Sequence, residues 1–250
     1  MINIFLVVVA VIVLLQTTNK PMDEKNVFAP ILAAYERTRA ATQEAWAANP
    51  RTGHPLPPEP HRAQLGISSG RTFAASGPLA QVHAELRALA AQDPLLDVTP
   101  ANSLHFTFLA LAWDRYTLQT LPPELAALKP IFAKHTLGMD FAVTDLRLLP
   151  LKNALVLAGL PSPDSFARRN ALAQELLASA WGPLLQGRYR GFDIPPLFWH
   201  TTLARYGAPF ASQPLRDVYA RHSAIGMGGL HFGQPLLAAV NYNWQQCHPL

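Results

Sequence analysis

The chain has 250 residues, half of them apolar and only 14% charged, with a formal net charge of +4. That length suits one large domain or two small lobes around a sizeable core. The basic balance admits an anionic ligand, but no dense Lys/Arg run provides a duplex-binding stripe, and a single cysteine, Cys247, excludes an internal disulfide framework and a multi-cysteine zinc site.

The chain opens on "MINIFLVVVAVIVLLQ", an apolar run from Ile4 to Leu15. It is shorter than the roughly 20 residues of a comfortable membrane span. It also lacks the basic start and small-residue cleavage site of a secretory signal. Two readings stay open for residues 1–20: a membrane anchor or uncleaved signal, which would place the protein at a membrane or outside the cell, and a buried strand rich in Val and Ile, which would leave it in the cytoplasm. Residues 21–62 form a second segment. Val27, Ile31, Leu32 and Tyr35 recur at helical spacing, which predicts an amphipathic helix between Asp23 and Asn49 with a break near Pro30. The stretch "NPRTGHPLPPEPHR" is a Pro-rich linker that sustains neither a helix nor a central strand.

The globular part, residues 63–250, starts with a short strand in "AQLGISSG". A helix over "GPLAQVHAELRALAAQDP" has Gly77 and Pro78 at its start and Pro94 beyond its end. "SLHFTFLAL" is a strand, and "PPELAALKPIFAKH" is a helix interrupted by proline. "GMDFAVTDLRLLPLKNALVLAGLP" holds two strands joined near Pro150 to Asn153, followed by a third helix with Asp164 as its N-cap. "LFWHTTLARY" is another strand, a short helix lies around "PLRDVYARHS", and the tail closes in one or two strands. Helices and strands mix throughout and hairpins occur, so the expected fold is α+β with largely antiparallel sheets. Each half carries a good helix and one histidine-bearing strand.

Two of the nine histidines begin the same pattern: "HFTF" at His105 and "HTTL" at His200. Both read His-x-Thr-apolar. On a strand, positions i and i+2 share a face. His105 and Thr107 therefore point one way, with Leu104, Phe106 and Phe108 opposite. His200 and Thr202 share a face against Trp199 and Leu203, while Thr201 breaks the apolar alternation. If the two strands lie together, two imidazoles and two hydroxyls converge on one groove. Such a groove suits a phosphodiester, whose cleavage needs a base on the attacking oxygen and an acid on the leaving oxygen. An imidazole with an ordinary pKa of about 6.5 serves either role near neutrality. Threonine hydroxyls donate to the non-bridging oxygens, and the scheme calls for no metal or cofactor. One such motif is usually a structural histidine beside a strand threonine. Two copies, one in each half of a mixed chain, point to a site.

The paired motifs resemble those of the two-histidine (2H) phosphoesterase superfamily, which includes the 2′-5′ RNA ligase/cyclic phosphodiesterase group. "ANSLHFTFLAL" is similar to the family's Pro-x-Asn-x-His-x-Thr-Leu with its apolar tail, "LPLKNALVLAGLP" to its mid-domain strand, and "HTTLARY" to its His-x-Thr-Leu-Ala-Arg. The resemblance runs from about Gln64 onward, and the helix and linker before it have no counterpart. Trp199 stands where the family often has proline, and Phe106 and Phe108 replace smaller residues. The resemblance implies two pseudo-symmetric lobes, each a small antiparallel sheet with helices outside, flanking a groove. It implies hydrolysis of a 2′,3′-cyclic phosphate or 2′-linked phosphodiester of a nucleotide or RNA end by a monomer. His105 and His200 would then be the acid–base pair and Thr107 and Thr202 the phosphate ligands. The alternative is a binding protein that keeps the groove for RNA or nucleotide without turnover.

Other residues are weaker candidates. Arg205 is a possible phosphate ligand whose spacing from His200 has the wrong parity for a regular strand. Tyr206 has the productive parity with Thr202 and could stack on a base, although core or rim packing is commoner. Trp113, Tyr116 and Phe198 could line the groove, although buried aromatics usually just pack. Arg188, Tyr189 and Arg190 form a basic, aromatic stretch of the kind that guides RNA, though a solvated loop is commoner. Asp114 and Asp140 are the nearest thing to metal ligands, without ligand spacing to either histidine.

Overall fold

A computed structural model describes residues 27–57 and 63–250. The apolar N-terminal run, with the membrane-anchor reading attached to it, lies outside the described residues, as do residues 58–62 of the linker. Among the described residues no helix is long and apolar enough to cross a membrane.

Among these residues six helices and nine strands follow one another as α1 (Ala29–Ala48), β1 (Leu65–Thr72), α2 (Gly77–Ala90), β2 (Leu96–Val98), β3 (His105–Tyr116), α3 (Leu125–Thr136), β4 (Ala142–Leu151), β5 (Ala154–Pro161), α4 (Pro163–Leu177), α5 (Gly182–Arg188), β6 (His200–Tyr206), α6 (Gln213–His222), β7 (Leu230–His231), β8 (Leu236–Asn241) and β9 (Cys247–Pro249). The strands form two sheets, ordered β3-β1-β8-β9 and β2-β6-β5-β4-β7. Every pairing is antiparallel. The fold is α+β with two sheets, and each sheet contributes one of the two histidine strands.

Local sequence explains most of these elements. β5 is buried along its whole length, because it is flanked by β4 and β6 and covered on both faces, so its sequence is a continuous apolar run rather than an alternation. The β4–β5 hairpin turns at Lys152 and Asn153, the place expected. β4 sets two residues, Asp145 and Leu146, against the single Gly159 of β5, one extra residue, with Asp145 at φ 50°. Opposite this irregularity stands Gly159, where a Cβ would come within 2.6 Å of the Thr144 carbonyl oxygen, so only glycine lets the strands approach this closely.

Three helix expectations need correction. Pro30 does not break α1. It sits in the first turn, where its missing N–H leaves no bond unmade. α3 runs continuously through Pro130. The N-cap of α4 is Ser162, whose hydroxyl accepts from the Ser165 N–H at 3.1 Å, while Asp164 lies in the first turn and pairs with Arg168 at 2.9 Å. The short elements β2 and α5 have too little periodicity to be seen in the sequence. α5 is tied to β3 by the Trp181 indole, which donates to the Leu111 carbonyl at 3.1 Å.

Helix α1 packs on β4 of the five-stranded sheet and buries Ile31, Ala34, Tyr35 and Trp46 in the main hydrophobic core. The Trp46 indole donates to the Lys152 carbonyl at 2.9 Å. α1 is therefore joined to the five-stranded sheet by packing and hydrogen bonds together. Ile31 is completely buried, so Ile31→Ala is expected to cost about 2–5 kcal/mol, measured as a lowered denaturant midpoint at unchanged slope. A loss below about 0.5 kcal/mol, typical of a surface position, would show that α1 does not contribute to the folded core.

Candidate active site

His105 is the first residue of β3 and His200 the first residue of β6. Strand alternation then acts as expected at both starts. Leu104, Phe106 and Phe108 of the first motif and Trp199 and Leu203 of the second are fully buried in one core. His105, Thr107, His200 and Thr202 all line one cavity of about 230 Å³. The two strands are not neighbours in a sheet. They belong to separate sheets, and the cavity lies where these meet.

Arg205 lines the same cavity, against the parity expected of a regular strand. The register of β6 against β5 explains this. Leu155 pairs with Ala204 and Val156 with Thr202, so Leu203 is an extra residue on β6. This bulge resets the alternation. His200, Thr202 and Arg205 become the partly exposed residues of the strand, and the Arg205 guanidinium donates to the Thr202 hydroxyl at 3.3 Å. The same bulge turns Tyr206 away. Tyr206 does not line the cavity; it is buried and pairs with Leu96. Tyr206 packs in the core, the commoner of the two readings weighed for it.

The weaker candidates divide. Phe198, Arg188, Tyr189 and Asp114 line the cavity, whereas Tyr116, Arg190 and Asp140 do not. Trp113 lies beneath Arg188, whose guanidinium carbon stands 4.0 Å from the indole ring centre. Among the described residues no group of three His, Cys, Asp or Glu side chains stands close enough together to hold a metal ion.

Two contributors escaped the sequence reading. Arg169, on α4, is buried; its guanidinium donates to the Pro196 carbonyl at 2.7 Å and the Phe198 carbonyl at 3.3 Å and lies 3.6 Å over the Trp199 ring. A signal existed: Ser165, Arg169, Leu172, Ala173 and Leu176 form the buried stripe of α4, and an arginine in such a stripe marks a buried charge. Trp244, in the turn between β8 and β9 at φ 60°, stacks on His105 with ring centres 4.6 Å apart and planes 11° off parallel. No local pattern announced that contact, because it joins residues far apart in the chain.

The electrostatics are one-sided. The cavity lining holds Arg169, Arg188 and Arg205 and one carboxylate, Asp114. His105 Nδ1 lies 2.8 Å from the Ser103 carbonyl oxygen, which can only accept. The proton of the neutral ring therefore sits on Nδ1, and Nε2 keeps its lone pair. Burial, assisted by the charges of Arg205 and His200, lowers His105 to a pKa of about 4. Burial with Arg205 and Arg169 lowers His200 to about 4. Burial also lowers Arg169, to about 9. The cavity therefore disfavours added positive charge and is set up for a ligand that brings negative charge.

No family model matches this chain, and no curated protein does. Solved structures do. A phosphoesterase is 13% identical with a TM-score of 0.45, over 75% of this chain and 95% of that one. E. coli LigT complexed with 3′-AMP is 14% identical with a TM-score of 0.43, over 75% of this chain and 95% of that one. The Thermus thermophilus protein TT0787 is 19% identical with a TM-score of 0.38, over 70% of this chain and 87% of that one.

The lowered histidine pKa values carry a stability consequence. Above about pH 6.5 the imidazoles are neutral in folded and unfolded chains alike. As pH falls, the unfolded chain takes up protons first, and the folded protein does so only near pH 4. Stability is thus present above about pH 6.5 and lost between there and about pH 4, by about 3 kcal/mol for His105. Denaturant titrations across this window should show a smaller loss for His105→Gln than for the parent. Equal losses would mean that the His105 ring is not held neutral.

Proposed function

We propose that this protein is a two-histidine phosphoesterase that hydrolyses a 2′,3′-cyclic phosphate or a 2′-linked phosphodiester of a nucleotide or RNA end. The observation that carries the reading is the convergence of two strand-borne His-x-Thr pairs, from separate sheets, on one arginine-rich cavity. The phosphodiester anion sits between the imidazoles. Thr107 and Thr202 donate to its non-bridging oxygens, and Arg205, held against Thr202, supplies positive charge. One neutral imidazole removes a proton from water as its oxygen attacks phosphorus. The other, as imidazolium, protonates the ribose oxygen as the P–O bond breaks, leaving a phosphomonoester and a free hydroxyl. The Nδ1–H bond of His105 to Ser103 fixes the tautomer in which Nε2 exchanges the proton.

The pKa directions make the pH dependence specific. In the free protein both imidazoles titrate below their usual value. The singly protonated pair is therefore most populated on the acid side, and the optimum of kcat/KM should lie below about pH 6.5. A bound phosphodiester anion favours the imidazolium, so the optimum of kcat should lie at higher pH.

A panel of nucleoside 2′,3′-cyclic phosphates, 2′-5′ dinucleotides and 3′-5′ controls, assayed with chelator present, tests the reading. Turnover of the first two classes is expected. His105→Ala and His200→Ala should each lower it by about 10²–10⁴-fold in a folded protein. Near-full activity in either variant, or a flat profile from about pH 5 to 8, would overturn the acid–base assignment.

A further inference from the structure

We propose that Tyr35 of α1 is a positioning residue for His200, so that the N-terminal helix belongs to the catalytic apparatus. The inference rests on the phosphoesterase reading for its kinetic arm. The Tyr35 hydroxyl is buried between β5 and the start of β6. It accepts from the Trp199 N–H at 2.9 Å and shares its own proton between the Gly159 carbonyl at 2.9 Å and the Trp199 carbonyl at 3.1 Å. One side chain thus holds both backbone groups of the residue immediately before His200. Burial pushes the Tyr35 hydroxyl up to about 12, so it remains a donor across the working pH range.

A second path runs through rings. Tyr35 meets Phe198 edge-on at 5.1 Å between centres, and Phe198 meets the His200 imidazole edge-on at 6.0 Å. From the other side Arg169 of α4 holds the Pro196 and Phe198 carbonyls. The segment leading into His200 is clamped between two helices. His200 opens its strand, and beyond its pairing with Ala158 the ladder adds one bond, from the Gly159 N–H to the Trp199 carbonyl at 3.1 Å, so a shift of Trp199 moves the imidazole directly. An error of about 1 Å at such a group is costly to turnover.

Tyr35→Phe removes the hydroxyl and keeps the ring. Trp46→Phe is the matched control, because it removes another hydrogen bond from the same helix to the same sheet, at Lys152 and away from the histidines. Both variants should be destabilised. Tyr35→Phe should lower kcat about tenfold with KM within about twofold, and should shift the His200 imidazole resonances and titration in NMR. Trp46→Phe should leave both readouts unchanged. Phe198→Leu, which interrupts the ring path, should move the His200 resonances in a protein that keeps the tyrosine. The proposal is overturned if Tyr35→Phe keeps kcat within about twofold and leaves His200 unshifted, or if Trp46→Phe has the same effects. Should the parent turn over no cyclic phosphate, the function reading fails, and the His200 titration in the three variants still decides the positioning role.

Discussion

The rest of the site depends on one constraint: three guanidinium groups gathered around one cavity beside two buried imidazoles. Arg169, Arg188 and Arg205 face a lining with one carboxylate, and two desolvated imidazoles share the space. Each cation is contacted by neutral groups. Arg169 leans on two backbone carbonyls and an indole face, Arg188 on Trp113, and Arg205 on Tyr242 and the Thr202 hydroxyl. Aromatic faces and carbonyls lower the cost of burying a guanidinium without neutralising it. Burial, assisted by that positive charge, holds the histidines neutral, and the charge favours an anion in the cavity.

That arrangement requires the two sheets to meet at their histidine-bearing strands. Neither sheet contains the site alone. β3 brings His105 and Thr107, while β6 brings His200, Thr202 and Arg205. Irregular strands make the fit. The Leu203 bulge returns Arg205 to the productive face, and three register shifts between β1 and β3 bend the other histidine strand. At Gly70 a Cβ would collide with the Phe106 carbonyl oxygen, so β1 approaches β3 beside the first motif only because no side chain is there. The helices then fix the edges. α4 and α1 reach the residues before His200 with an arginine and a tyrosine, and the β8–β9 turn lays Trp244 on His105.

The α+β class, the two histidine strands, the β4–β5 hairpin and the shared faces of His105 with Thr107 and of His200 with Thr202 were legible in the chain itself. They depend on local rules: an i, i+2 spacing places side chains on one face, apolar runs mark buried strands, and proline and glycine mark boundaries. The same rules misplaced Arg205 and Tyr206, because one bulged residue inverts parity and a bulge leaves no mark in composition. They also put the N-cap of α4 at Asp164, because serine and aspartate two positions apart are equally good caps and only the backbone selects between them.

By itself, then, the sequence determined which chemistry was available: two His-x-Thr pairs on strands, enough basic residues for an anion, and one cysteine with no partner for a disulfide. Tertiary structure alone decided which charges surround that chemistry. Arg169, Trp244 and Tyr35 act on histidines far from them in the chain, through contacts set by how α4, the β8–β9 turn and α1 pack on the two sheets. The physical reason is that burial and electrostatic coupling depend on distance in space. Spacing along the chain records the period of a strand or a helix and carries no such distance.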